Sequence, residues 1–215
     1  MKLGRPAVAV TAVVAGAALV LAVPAGAATT GPSCNLLVDV KGDAQFLGAL
    51  PNDANLDITS ADVASDAKTL TAVLRLASFA GTDAQSPLGR GYYVLFTVPG
   101  SEFPIYFNMQ ITPDVTRFAW GDRETLATGS GRYVKKGDAT GVLDMAKGEI
   151  HISVPLAALS AVGKVSKGAK LTNLTASATA VLGTSATGGL VSTVDDAASN
   201  KSYIAGAKSC VAVGK

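Results

Sequence analysis

The sequence predicts an all-β fold, an antiparallel β-sandwich of jelly-roll-like form with at most one short helix. Three observations carry this. Many short runs alternate apolar and polar residues with the period of two that a half-buried strand requires. Turn-forming residues punctuate the chain between those runs. No long amphipathic helix and no βαβ rhythm interrupts them.

In chain order, residues 1–27 are read as a leader and not as fold. Lys2 and Arg5 precede an apolar stretch from Ala7 to Val23, and Pro24 and the small residues Ala25, Gly26 and Ala27 follow. This is the pattern of a signal peptide cleaved after Ala27. A retained membrane anchor is the alternative, since the apolar run is close to the shortest that spans a bilayer. Residues 28–215 then form a single β-sandwich domain, long enough for a full core. The whole chain carries 18 Lys and Arg against 16 Asp and Glu, and losing Lys2 and Arg5 balances them. A neutral surface argues against nucleic acid or an anionic membrane as partner. The expected location is secreted and extracellular, with no membrane contact after cleavage.

Cys34 and Cys210 are the two cysteines, close to either end of 28–215. In an exported protein such a pair reads as a disulfide joining the first strand to the last, with two separate buried thiols as the alternative. The loop it closes is nearly the whole domain, for which the chain-entropy account gives roughly 4–5 kcal/mol.

The strands follow. TLTAVLRLA (69–77) opens the series. In GYYVLFTV (91–98), Tyr92, Val94, Phe96 and Val98 alternate with Tyr93, Leu95 and Thr97; in PIYFNMQI (104–111), Ile105, Phe107, Met109 and Ile111 alternate with Tyr106, Asn108 and Gln110. TRFAW (116–120), GVLDM (141–145), EIHISV (149–154) and LTNLTASATAVLG (171–183) continue the pattern, and PLAALSAV after Val154 suggests a helical turn. Pro99-Gly100, Gly121-Asp122, Lys147-Gly148 and Lys167-Gly168 are expected turns. Residues 183–202, rich in Gly, Ser and Asp, read as the longest loop, a mobile surface connection.

Catalytic patterns are few. The single histidine, His151, lies opposite the apolar set Ile150, Ile152 and Val154, where an ordinary surface or edge histidine is expected. No nucleophile elbow, no H-E-x-x-H and no phosphate-cradling glycine loop occurs, and TGSGR (128–132) reads as a tight turn. Paired carboxylates meeting only in the fold keep a secreted hydrolase open as an alternative.

Acidic residues gather in short runs at strand ends: Asp39 and Asp43 in VDVKGDA, Asp53 and Asp57 in PNDANLDI, Asp122 in WGDRE, and Asp195 and Asp196 in DDAASN. Oxygen ligands on turns suit Ca²⁺, which takes six to eight of them at flexible distances. If the disulfide joins the chain ends, Asp39, Asp43, Asp195 and Asp196 are the metal candidates, with structural Ca²⁺ as the ion. The competing account is that Asp and Asn favour turns for their own local hydrogen bonds.

In order, VDVKGDAQ, NLDITSADVASDAKTLTAVLRLASF, GYYVLFTV, GEIHISVPLAAL and DDAASNKSYIAG resemble the strand signatures of a bacterial exported β-sandwich module. It is similar to the DOMON and family 9 carbohydrate-binding-module superfold and often accompanies secreted peptidases. The resemblance covers most of the chain beyond the leader. It implies two antiparallel sheets, no catalytic apparatus and, in some relatives, a structural Ca²⁺ or a sugar or haem on one sheet face. With one His, and with Met1 among its three Met, the chain departs from the haem-binding members, lacking an axial pair.

A ligand face is also legible. Tyr106, Asn108 and Gln110 share the polar side of one run, and Tyr93 falls beside them if the two runs pair antiparallel, with Trp120 as a further candidate. Aromatic platforms stack on sugar rings while amides bond their hydroxyls. The expected function is a non-catalytic secreted protein, Ca²⁺-stabilised, that binds a glycan or another cell-envelope component. An inhibitor or partner domain for a secreted protease is a further reading, with residues 81–91 as its exposed loop.

Overall fold

Alternation along the sequence becomes the two faces of two sheets. The computed structural model describes residues 34–45, 52–79, 88–182 and 190–214; the leader at 1–27 and residues 81–87 of the expected exposed loop lie outside them. The strands are β1 (Leu37–Val38), β2 (Ile58–Ser65), β3 (Thr69–Leu76), β4 (Arg90–Thr97), β5 (Ile105–Ile111), β6 (Thr116–Thr125), β7 (Gly131–Asp138), β8 (Thr140–Asp144) and β9 (Glu149–Pro155). A single helical turn, α1 (Leu156–Leu159), follows, then β10 (Lys170–Leu182), β11 (Leu190–Ser199) and β12 (Tyr203–Ile204).

One sheet runs β1-β2-β3-β9-β8 and the other β11-β10-β4-β5-β6-β7, with β12 paired to β10. Every pairing is antiparallel. The fold is therefore an all-β sandwich with one short helix. Between the sheets lie Ile58, Ala61 and Val63 of β2, Leu70, Ala72 and Leu74 of β3, and Ile150, Ile152 and Val154 of β9. Facing them are Tyr92, Val94 and Phe96 of β4 and Ile105, Phe107 and Met109 of β5, all buried. Phe96 and Phe107 meet edge-on at 5.2 Å between centroids. Burial of each such side chain contributes about 1.5–3 kcal/mol.

Two expectations are corrected. Gly121-Asp122 is not a turn: it lies inside β6, at a register shift between Trp120 and Gly121 in the pairing with β7. Residues 190–199 of the expected loop are strand β11, paired along β10. Their Ser, Thr, Asp and Ala content hides the strand, because the residues it buries, Val194, Asp195 and Ala197, are small or polar and show no apolar alternation.

The C-terminal segment is a strap across the outer face of the five-stranded sheet. Ser209 Oγ donates to the Val63 carbonyl at 3.1 Å, Gly214 N to Thr71 Oγ1 at 3.1 Å, and Gly206 N to Ser65 Oγ at 2.7 Å. Tyr203 OH accepts from Ser65 N and donates to the Ala207 carbonyl. The cover explains why Asp62, Ala64, Thr71 and Val73, on the side away from the core, are nevertheless buried. Cys34 and Cys210 are disulfide-bonded, with Cα atoms 5.2 Å apart, so the strap is tied covalently to the start of the domain. Among the described residues no helix is long and apolar enough to cross a membrane.

Candidate ligand groove and acidic cradle

On the outer face of the six-strand path, side chains from strands far apart in the sheet converge. Tyr93 of β4 and Tyr106 of β5 stand at 6.2 Å between centroids. Tyr133, on the edge strand β7, stacks on Tyr93 at 4.6 Å and meets Tyr106 edge-on at 5.1 Å. It can reach that far because β6 offers no bulk between them: Ala119 and Gly121 stand opposite Asn108 and Tyr106. A Cβ on Gly121 would strike the Val134 carbonyl and lie 2.9 Å from the Tyr106 ring. The register shift beside Gly121 adds bend, as β-bulges do. Arg123 carries its guanidinium carbon 5.9 Å from the Tyr133 centroid.

The resulting curl forms a groove of about 430 Å³. Arg123 and Tyr133 line one side, Leu95, Thr175 and Ser177 the floor, and Thr193 and Asp196 of β11 the other side. Tyr133 is 41% exposed and Tyr106 only 4%. Burial raises the Tyr106 phenol to about 12 and raises Tyr93 as well, so both stay neutral hydroxyls at ordinary pH. Gln110 Nε2 donates to Tyr93 OH at 3.4 Å.

The residues expected at a ligand face are placed as follows. Tyr93, Tyr106, Asn108 and Gln110 share the outer face, with Asn108 buried and Gln110 exposed at its rim. Trp120 is 5% exposed and belongs to the core. It stands opposite Phe107 and is covered by Gly137, where a Cβ would come 2.7 Å from the indole nitrogen. The sequence does not mark Tyr133 or Arg123: GRYVKKGD lacks apolar alternation, so its tyrosine reads as an ordinary surface residue, and Arg123 follows a Gly-Asp pair that reads as a turn.

A second cluster lies where the start of the domain meets β11. Carboxylate oxygens of Asp39, Asp43 and Asp195 lie within 4.8 Å of one another. A β-bulge makes Val194 the extra residue opposite Ala178 and Thr179, so Val194 and Asp195 are both buried, while Asp196 turns outward to the groove. Asp195 Oδ2 accepts from Ile58 N at 2.6 Å, and Gln45 N donates to the Val194 carbonyl at 3.1 Å. Burial, chiefly, and the charges of Asp39, Asp43 and Asp57 raise Asp195 to about 6. Asp57 is fully buried; its Oδ2 accepts from Gly42 N at 2.7 Å and Asn52 Nδ2 at 3.1 Å. The other expected acids are locally committed. Asp122 pairs with Lys136 at 3.1 Å, and Asp53 Oδ1 caps its own turn through Asn55.

His151 lies outside both clusters, on the outer face of the five-stranded sheet. A chain of contacts runs from Asp62 through Arg75 (2.6 Å) to Glu149 (2.8 Å) and His151 Nε2 (3.1 Å).

Fold and site together define an all-β sandwich with a tyrosine-walled groove on one curled sheet and an acidic cradle at one end. The chain matches no protein family and no curated protein by sequence.

Proposed function

We propose that the protein is a non-catalytic exported binding module that holds a glycan of the cell envelope in the groove. The observation that carries this reading is the stacked trio of Tyr93, Tyr106 and Tyr133 at the side of a groove lined by Arg123, Thr175, Ser177 and Asp196. A sugar presents an apolar C–H face and a rim of hydroxyls. The part-exposed Tyr133 ring offers an apolar surface held by its two neighbours, with the Arg123 guanidinium beside it and the hydroxyl and carboxylate groups opposite able to bond the rim. Asp196 is the one carboxylate among the described residues lining the groove, whereas glycoside cleavage employs two. The leader-like residues 1–27 and the disulfide support export.

The test is retention on insoluble cellulose, chitin and peptidoglycan, followed by titration with soluble fragments of whichever polymer retains the protein. Tyr133→Ala, on the edge strand, is expected to keep the fold with a modest fall in the unfolding midpoint from the lost ring contacts, while weakening binding at least tenfold, about 1.4 kcal/mol. Failure of all three polymers to retain the protein, or equal affinity in the variant, rejects the glycan reading.

A further inference from the structure

We propose that Asp39, Asp43 and Asp195, backed by Asp57, bind a single Ca²⁺ that clips the arm at residues 39–45 to β11. The oxygens of the first three lie within 4.8 Å of one another. That is the span of opposed ligands about Ca²⁺, whose bonds of about 2.3–2.6 Å place them up to roughly 5 Å apart.

An independent observation points to the same ligand. Asp57 is fully buried, and its Oδ1 has no hydrogen-bond partner. Its other oxygen is tied to Gly42, in the turn between Asp39 and Asp43, so the carboxylate stands against the cradle, and its charge acts on both Asp39 and Asp195. Asp39 repeats the pattern: Oδ1 accepts from Val40 N, while Oδ2 is buried and unpartnered. Natural folds rarely leave buried carboxylate oxygens unsatisfied.

Among the described residues no Lys, Arg or His forms an ion pair with any of these four acids. Three converging carboxylates with a fourth buried beside them and no counter-charge repel one another, and the buried Asp57 and Asp195 are costly to desolvate; a dication relieves both penalties. The donors are all carboxylate oxygens, with no imidazole or thiolate, which selects a hard cation over zinc or copper. Mg²⁺ needs a tighter octahedron with bonds of about 2.0–2.1 Å and parts reluctantly with its water, so the spacing favours Ca²⁺. Asp196 is not among the converging ligands, since the strand turns it toward the groove, but its charge still acts on Asp39.

The experiment is calorimetric titration of the oxidised, EDTA-stripped protein with CaCl₂, alongside unfolding midpoints in EDTA, Ca²⁺ and Mg²⁺. One saturable site is expected, with a midpoint rise in Ca²⁺ that exceeds the rise in equimolar Mg²⁺. Asp43→Ala, at an exposed residue that leaves the fold intact, is expected to weaken Ca²⁺ binding at least tenfold; Asp57→Asn does likewise, and Asp196→Asn, which removes only a through-space charge, weakens it by less than either. Absence of saturable heat with no midpoint rise overturns the proposal. So does an equal response to Mg²⁺, or wild-type affinity in Asp43→Ala.

Discussion

Tyr106 must be buried and polar at once, and its phenol resolves the conflict by keeping its proton. Burial raises it from 10.0 to about 12, and the neighbouring tyrosines and Asp122 push in the same direction. Because the folded state holds the proton more tightly, this contribution to stability is complete below pH 10 and is lost as the pH rises through 12. Alkaline unfolding is therefore expected to steepen between pH 10 and 12 in the wild type and less so in Tyr106→Phe, with the tyrosinate absorbance of one phenol appearing last. An unchanged slope in the variant shows that another group controls the transition. At this scale the sequence was partly legible. Tyr93 and Tyr106 reach the outer face by simple alternation, which pairing of β4 with β5 preserves residue by residue. Asp195 and Asp196 look equivalent as neighbours in sequence, but strand geometry sends them to opposite faces, and the bulge that turns Asp195 inward has no sequence signature.

Strand β6 shows how one element sets the site. Its outward positions, Ala119 and Gly121, are small, and the bend beside Gly121 carries the β6–β7 hairpin over the face of the sheet. A side chain at 121 collides with the Val134 backbone, which cannot move without breaking the ladder. Gly121→Val is therefore expected to lower the unfolding midpoint and to separate Tyr133 from Tyr93, read as lost glycan retention and altered near-ultraviolet dichroism of the tyrosines. A variant that keeps both signals rejects the role given to the glycine. The strands with dense apolar alternation, β4, β5 and β9, were legible because both sheets bury one side of them against the core. Strands β7 and β11 were not, since β7 lies at the sheet edge with charged residues along it and β11 buries small or polar groups. The Gly-Asp pair in β6 reads as a turn for the same reason: local chemistry favours a turn, and only pairing on both sides, to β5 and β7, keeps the strand going.

The sandwich is closed where the segment at Cys34 meets the C-terminal strap. Cys34 and Cys210 are 176 residues apart in sequence, so the disulfide restrains nearly the entire unfolded chain, and the strap it anchors covers polar groups on the outside of the five-stranded sheet. Beneath that strap, Asp62 is 1% exposed and is matched by Arg75 at 2.6 Å and by Leu36 N at 3.0 Å. Loosening the ends admits water to this pair, which screens the Asp62–Arg75 attraction and competes for the Leu36 N–H bond to Asp62. The Cys34→Ser/Cys210→Ser double variant is expected to lose about 2–5 kcal/mol, a fall of roughly 10 °C in the midpoint for a domain of this size. Hydrogen exchange separates local from global effects: the amides of Leu36 and Gly206, which bond across to Asp62 and Ser65, are expected to exchange faster than those of β3, because the strap detaches before the sandwich opens. Uniform acceleration at all of these amides instead indicates that the disulfide stabilises the fold only as a whole and that the strap holds through its own hydrogen bonds.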